Sequence, residues 1–119
     1  MNEKEFKRRT KQLALRVIRL VEALPQSRTA DVIGKQLIRS ATSVGANYRS
    51  ACRGKSTADL IAKLSIVEEE ADETLYWLEL IAESGLVPQA KLSNLMSETD
   101  EILAMTVASI KTLRSKPKN

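Results

Sequence analysis

The chain has 119 residues, a net charge of +4, one cysteine and an aromatic content of only 3%. This length suits one domain with a single core, and four glycines and three prolines are too few for the frequent turns of a β sandwich or barrel. No apolar run approaches the roughly 20 residues of a membrane span, and the N-terminus lacks the apolar core of a signal peptide. Cys52 alone cannot form an internal disulfide, so we expect a cytoplasmic protein without membrane contact.

The charges are unevenly distributed along the chain. Residues 1–63 carry 14 Lys and Arg against 5 Asp and Glu, whereas residues 64–101 carry one Lys against 10 acids. Such asymmetry is found in proteins that bind nucleic acid. It also serves solubility and pairing between neighbouring helices. The charge pattern alone leaves both interpretations open.

The first predicted helix spans about residues 3–24. Pro25 ends it because proline has no amide hydrogen to continue the helix. Apolar or small residues recur in it at alternating steps of four and three, at Phe6, Thr10, Leu13, Val17, Leu20 and Leu24. This spacing is typical of a helix packed lengthwise on others. Leu15 and Ile18 lie outside that face, and a surplus of apolar surface indicates a contact between subunits.

The same helix is the best candidate for binding nucleic acid. Its basic residues are Lys4, Lys7, Arg8, Arg9, Lys11, Arg16 and Arg19. Cations at this density predict a positive ridge that contacts phosphates. No aromatic platform accompanies them, so recognition would depend on backbone charge and shape. An ordinary basic surface helix explains the same residues nearly as well.

The second predicted helix spans residues of about 29–53, with Ser27 or Thr29 as a suitable N-cap. Its apolar face contains Leu37, Ala41, Val44, Tyr48 and Ala51, and a small or polar stripe contains Arg39, Ser43, Ala46, Asn47 and Ser50. Gly34 and Gly45 favour close approach of a neighbouring helix, and Gly54 is expected to end the helix in the left-handed conformation. Three further candidates for nucleic-acid contact lie at the end of this second helix: Arg49, Arg53 and Lys55.

The third predicted helix spans residues of about 57–84 and has the most regular apolar spacing, at Leu60, Leu64, Val67, Ala71, Thr74, Leu78 and Ile81. Ile66, Trp77 and Leu80 lie beside this face and are further candidates for a subunit interface. Because the second and third helices are joined near Gly54, residues that face each other should have numbers adding to roughly 110. We therefore predict that Arg39 pairs with Glu70 or Glu73, a bridge that would fix register more than add stability.

The fourth predicted helix spans residues of about 88–115, with Pro88 in its first turn, where no amide donor is needed. Its apolar spacing falls at Leu92, Met96, Thr99, Leu103, Thr106, Ile110 and Leu113. Four helices with short links predict an all-α fold, an antiparallel up-down-up-down four-helix bundle. The surplus apolar residues predict its assembly into a homo-oligomer.

The chain offers little for catalysis. Carboxylates cluster at residues 68–73, but di-iron bundles also need Glu-x-x-His pairs, and the sequence contains no histidine. Cys52 lacks a histidine base for the same reason. Neither a GxSxG turn nor a Gly-rich phosphate-binding loop is present. We therefore expect no metal, no other cofactor and no enzymatic activity.

A combination of residues on the second and third predicted helices resembles a known family. On the second helix these are Arg39, Ser43, Ala46 and Asn47, and on the third they are Glu69, Glu73, Thr74, Tyr76, Trp77 and Leu78, followed by Gly85 and Leu86. The segment 40–87 is similar to the bacterial four-helix-bundle family of 23S rRNA-intervening-sequence proteins. The family usually has Glu at the position of Ser50, so a polar network of Arg39, Ser43, Asn47, Glu69, Glu70 and Glu73 would be altered here.

The resemblance implies a ring-like homopentamer without catalytic activity. A related branch, the accessory variability determinants of diversity-generating retroelements, consists of basic pentamers associated with nucleic acid and a reverse transcriptase. The first hypothesis is therefore a non-enzymatic oligomer that binds structured RNA or DNA through its first helix. The alternative is a scaffold that docks a protein partner, such as a nucleic-acid enzyme, without contacting nucleic acid itself.

Overall fold

Four helices joined by short links make up residues 2–116, the part of the chain that this computed structural model describes. They are α1 (Glu3–Glu22), α2 (Arg28–Cys52), α3 (Thr57–Glu83) and α4 (Gln89–Ser115). No β-strand occurs within these residues. The fold class is therefore all-α with four helices, as the apolar spacing predicts.

Polar side chains fix where the helices begin. Ser27 Oγ accepts a hydrogen bond from the Ala30 amide, and Ser56 Oγ accepts one from the Asp59 amide, both at 3.1 Å. These bonds satisfy amides that have no partner inside the helix. The prediction for Gly54 was wrong, because the left-handed glycine is Gly85, with φ of 79°, just after α3. α2 ends at Cys52 with Arg53 as its C-cap.

The core runs along the length of the bundle and contains residues of all four helices. Leu13, Leu37, Leu78 and Ile102 are each fully buried. Near one end, Phe6 packs edge-to-face on Tyr48 with ring centroids 4.6 Å apart, which joins α1 to α2. Burial follows the predicted spacing closely in the first three helices.

The apolar face of α4 differs from the prediction. Its buried residues are Leu92, Leu95, Thr99, Ile102, Thr106 and Ile110. Met96 and Leu103, which the four-three spacing assigned to the core, are only half-buried, and Leu95 and Ile102 take their places. The sequence has two adjacent apolar residues at 95–96 and again at 102–103, so two helix faces with the same spacing are possible. Packing buries the face that contains Leu95 and Ile102.

The neighbouring helices contact each other in chain order, and α1 also contacts α4. Between α1 and α2, Phe6 meets Tyr48, Thr10 meets Gly45 and Val21 meets Gly34, so numbers rise along one helix and fall along the other. The resulting body measures 55 × 21 × 20 Å. Among the described helices, none combines the length and the apolar character that crossing a membrane requires.

Candidate nucleic-acid interface

The basic residues of α1 do not form a single ridge. Consecutive residues of a helix are about 100° apart around its axis, so cations adjacent in sequence face different neighbours. Arg9 and Arg16 contact residues of α4. Lys7 and Lys11 lie on the other side of α1, next to α2.

Arg9 is held at the contact of α1 with α4. Its guanidinium donates to Glu98 at 2.5 and 3.1 Å, and one nitrogen lies 3.0 Å from Glu101. The Arg9 side chain is only 15% exposed. The hydrogen bonds to Glu98 and the nearby carboxylate charges raise the pKa of Arg9 above its ordinary value. The charge of Arg9 is therefore paired within the molecule, at the contact with α4.

Other cations of α1 are also partly occupied. Arg16 donates to Asn94 on α4 at 2.8 Å, which likewise turns it away from α2. Arg8 pairs with Glu5, and the Lys7 ammonium lies 3.3 Å from the Glu3 carboxylate. Both pairs are exposed and lie within α1. Exposed pairs of this kind contribute little and exchange readily for other anions. The remaining predicted residues of this helix, Lys4, Lys11 and Arg19, are exposed and form no salt bridge with another described residue.

A groove between α1 and α2 gathers the other cations. This α1–α2 groove has a volume of about 450 Å³ and is lined by Lys7, Thr10, Lys11, Ala14, Thr42, Gly45, Ala46, Arg49 and Arg53. Four of these residues are basic, and no acidic residue of the described chain lines the groove. Its floor consists of small residues, Ala14, Gly45 and Ala46, and a Cβ at Gly45 would lie 3.4 Å from the Thr10 carbonyl. The groove is thus open and positive.

A second basic groove adjoins it on the other side of α2. This α2–α3 groove, of about 490 Å³, is lined by Ala46, Arg49, Ser50, Arg53, Gly54, Lys55, Asp59, Ala62 and Lys63. Asp59 is its single acidic residue within the described chain, and the Asp59 carboxylate accepts a hydrogen bond from the Lys55 amide at 3.3 Å. The structure brings the predicted Arg49, Arg53 and Lys55 together here. Sequence reasoning missed Lys63, which the pairing of α2 with α3 could have placed opposite Asn47.

The predicted bridge of Arg39 is present and involves both acids. Arg39 donates to Glu70 at 3.0 Å and also to Glu73. The indole N–H of Trp77 donates to the same Glu73 carboxylate at 2.9 Å. This hydrogen bond from Trp77, together with the charge and hydrogen bond of Arg39, lowers the pKa of Glu73. α2 and α3 are thus connected by charges on their outer face.

The rest of the predicted polar network is not joined to this bridge. Asn47 donates to the Ser43 hydroxyl at 2.8 Å, which is a separate pair on α2. Glu69 is exposed and makes no side-chain hydrogen bond with another described residue, because it lies on the side of α3 opposite the buried Val67 and Ala71. Sequence reasoning missed a buried pair nearby, in which the Thr74 hydroxyl donates to Ser40 at 2.9 Å between α2 and α3.

Two of the five predicted interface residues are exposed apolar side chains. Leu15 is 40% and Ile66 37% exposed, while Ile18, Trp77 and Leu80 are half-buried. Two further exposed residues were missed: Val32 at 56% and Tyr76 at 52%. Val32 lies near the start of α2, and Tyr76 packs edge-to-face on Trp77, with centroids 5.2 Å apart.

A larger and mainly apolar cavity of about 830 Å³ opens at the end of the bundle where α2 passes into α3. It includes Tyr48 and Cys52. Burial raises the pKa of both side chains above their ordinary values. A thiol with a raised pKa is a weak nucleophile at neutral pH, which agrees with a packing role for Cys52.

The fold and the two grooves define a four-helix protein with a basic surface centred on the end of α2. The chain belongs to the family of 23S rRNA-intervening sequence proteins, whose sequence profile matches residues 2–108. No protein of curated function is significantly similar to it. Among solved structures, it is similar to a Bacteroides thetaiotaomicron protein of unknown function from the S23 ribosomal protein family. The two share 34% identity over 93% of this chain and 99% of the other, with a TM-score of 0.86.

Proposed function

We propose that this protein is a non-enzymatic, cytoplasmic, oligomeric helical bundle that binds structured RNA or other nucleic acid through its basic surface. The observation that carries the proposal is the α1–α2 groove, in which four cations surround a floor of small side chains and no acid of the described chain intervenes. Phosphate oxygens can approach such a floor closely, and the cations would replace their counterions. The name of the family, with its reference to ribosomal RNA, is consistent with this ligand.

The binding surface we propose differs from the one that charge density along α1 suggests. Arg9 and Arg16 are engaged by α4 and contribute little to it. Lys11 and Arg49 both line the groove and have no acidic partner among the described residues. They should therefore contribute most.

The test is the binding of a fluorescent RNA stem-loop, measured by anisotropy at several salt concentrations. Neutralising the groove with Lys11→Gln/Arg49→Gln is expected to weaken binding. The slope of log affinity against log salt should fall by about two, since each neutralised phosphate contributes about 0.9 to it. The matched control, Lys91→Gln/Lys111→Gln, removes the same charge from α4, which contributes to neither groove.

Two results would contradict the proposal. One is the absence of binding by folded wild-type protein even at low salt. The other is an equal weakening in the groove variant and the α4 variant, which would mean that only total charge matters.

We also propose that the antiparallel bundle assembles into a homopentamer, as the family resemblance implies. The exposed apolar residues Leu15 and Ile66 support an assembled state, since removing apolar surface from water favours association. Sedimentation of the wild type as a 13.2 kDa species at micromolar concentration would contradict it. In the expected case, Leu15→Gln/Ile66→Gln lowers the assembly state while leaving the helix content unchanged.

The second candidate function is a scaffold that docks a protein, such as a nucleic-acid enzyme, without direct nucleic-acid contact. It is favoured by the exposure of Val32 and Tyr76 on the outer face of α2 and α3. An assembled protein that retains an uncovered α2–α3 face and fails to bind any nucleic acid would support this alternative.

A further inference from the structure

The last two turns of α2 form a ridge between two basic grooves. We call residues 46–53 the α2 ridge. Three of its residues, Ala46, Arg49 and Arg53, line both grooves. The outer walls carry the other cations: Lys7 and Lys11 on α1, and Lys55 and Lys63 on the α3 side. Positive charge therefore lies on top of the ridge and along both of its flanks.

The width of this arrangement matches a double helix. A helix with its side chains is about 10–12 Å across, and packed neighbours lie about 8–10 Å from its axis. The major groove of B-DNA is about 12 Å wide and admits one α-helix, and A-form RNA presents a wide, shallow minor groove. A ridge of one helix width with cations on both flanks can therefore enter such a groove and contact the strand on each side.

The grooves contain nothing on which a single strand could stack its bases. No aromatic residue of the described chain lines either groove. The aromatic residues of α1 and α2, Phe6 and Tyr48, are buried in the core. Proteins that bind single strands combine a basic groove with aromatic side chains on which bases stack. The residues present here serve contact with phosphates alone.

We infer that the ligand is a double helix, that the α2 ridge enters one of its grooves, and that its two backbones lie in the α1–α2 and α2–α3 grooves. This inference rests on the proposed function and adds that both strands are contacted. Duplex DNA and duplex RNA offer the same chemistry, a pair of phosphate strands. The experiment therefore includes each of them.

The experiment compares a DNA duplex, an RNA duplex and an unstructured single strand of equal strand length, each over a range of salt concentrations. One variant neutralises the α1 flank, Lys7→Gln/Lys11→Gln, and the other neutralises the α3 flank, Lys55→Gln/Lys63→Gln. Each is expected to reduce the salt slope for a duplex by about two. The α4 variant Lys91→Gln/Lys111→Gln is the control for net charge.

The outcomes separate the inference from the function on which it rests. Tighter binding of a duplex than of the single strand, with weakening by both flank variants, supports the inference, and the duplex that shows this behaviour identifies the source. A duplex whose binding is unchanged by the α3-flank variant overturns the inference but leaves the proposed function intact. Equal affinity and equal slope for the single strand also overturn it. Binding of no probe by the folded protein removes both.

Asp59 provides a test by gain of affinity. It is the single described acid in either groove, and it would lie next to the second backbone. Asp59→Asn retains an oxygen that can accept the hydrogen bond from the Lys55 amide, so the local fold should be unchanged. Duplex affinity at low salt is expected to rise about two- to fivefold, the range of one exposed charge contact. Asp31→Asn, in the first turn of α2, is the matched control. Equal effects of both variants would argue against a strand in the α2–α3 groove.

Discussion

The two sides of α1 use the same residue types for opposite purposes. Towards α4, Arg9 is enclosed by Glu98 and Glu101, and its charge is satisfied within the molecule. Towards α2, Lys11 and Arg49 line a groove without acids among the described residues. The difference arises from the neighbouring helix, because α4 brings carboxylates to the contact and α2 brings further cations.

This comparison resolves part of the charge asymmetry in the sequence. The acidic stretch of residues 64–101 supplies the partners of Arg9 on α4 and of Arg39 on α3. Pairing between helices is therefore one consequence of the asymmetry. The cations left over are concentrated around the end of α2, where the adjacent part of α3 presents one acid, Asp59, together with Lys63.

Removal of the paired cation should have the largest effect on stability. Arg9→Met leaves Glu98 partly buried without its partner, and we expect a loss of about 2–3 kcal/mol in the free energy of unfolding, below the range for fully buried pairs because Glu101 is exposed. Urea unfolding followed by circular dichroism measures it. Arg8→Met, which removes only the exposed pair with Glu5, should cost much less. Equal losses would contradict the contrast between the two positions.

A smaller effect is expected from the second paired region. The lowered pKa of Glu73 means that folding favours its charged form. Its stabilisation is therefore fully present above the ordinary glutamate value of 4.5 and is lost as the pH falls through the lowered value of the folded protein. We expect Glu73→Gln to cost about 1 kcal/mol or less at pH 7, and this difference from the wild type should shrink with acidification.

Unfolding measured between neutral pH and pH 3 tests this expectation. Glu69→Gln is the matched control, because Glu69 is exposed on the same helix and pairs with no described residue. A Glu73→Gln effect that is independent of pH would show that packing, not charge, is responsible.

The floor of the α1–α2 groove can be filled with one methyl group. In Gly45→Ala the added Cβ would lie 3.4 Å from the Thr10 carbonyl, an ordinary contact, and alanine favours the helix. We expect a gain of about 0.5 kcal/mol in stability with weaker nucleic-acid binding. Gly34→Ala should gain less, since its Cβ would lie 3.2 Å from Val21. A loss of stability at Gly45 would mean that α1 and α2 cannot adjust.

The smallest effect is expected in the unpaired region itself. Arg49→Gln removes an exposed cation that has no acidic partner among the described residues, so stability should change by less than about 0.5 kcal/mol. Thermal unfolding of this variant beside Arg9→Met gives the direct contrast. A marked loss would imply that the groove cations have a structural role as well.

The sequence predicts the helices and most of the core because each of the first three helices has one apolar face. α4 has two overlapping faces, and single-residue spacing cannot decide between Leu95 and Met96. The choice depends on how α4 packs against α1 and α3. It follows from the tertiary structure and not from local periodicity.

The Arg39 bridge was predictable because a short link fixes which residues of α2 and α3 face each other. The predicted basic residues include all four cations of the α1–α2 groove, but also Arg9 and Arg16, which contact α4, because charge density along α1 is not the same as charge density in space. Applying the same pairing argument to α1 and α2 would have placed Lys7 and Lys11 beside the second half of α2, and the helical angle would have separated Arg9 from both. The floor residues carry no charge signal, so sequence patterns offer no reason to select them.

Trp77 is the single tryptophan of the chain. It lies on the outer face of α2 and α3 and donates a hydrogen bond to Glu73. Its fluorescence therefore reports on a place several helical turns away from the α2 ridge. Covering this face by another protein should shift the emission to shorter wavelengths, whereas a polyanion bound at the ridge should leave the spectrum nearly unchanged. The protein thus carries an intrinsic optical probe that distinguishes assembly from nucleic-acid binding without any label.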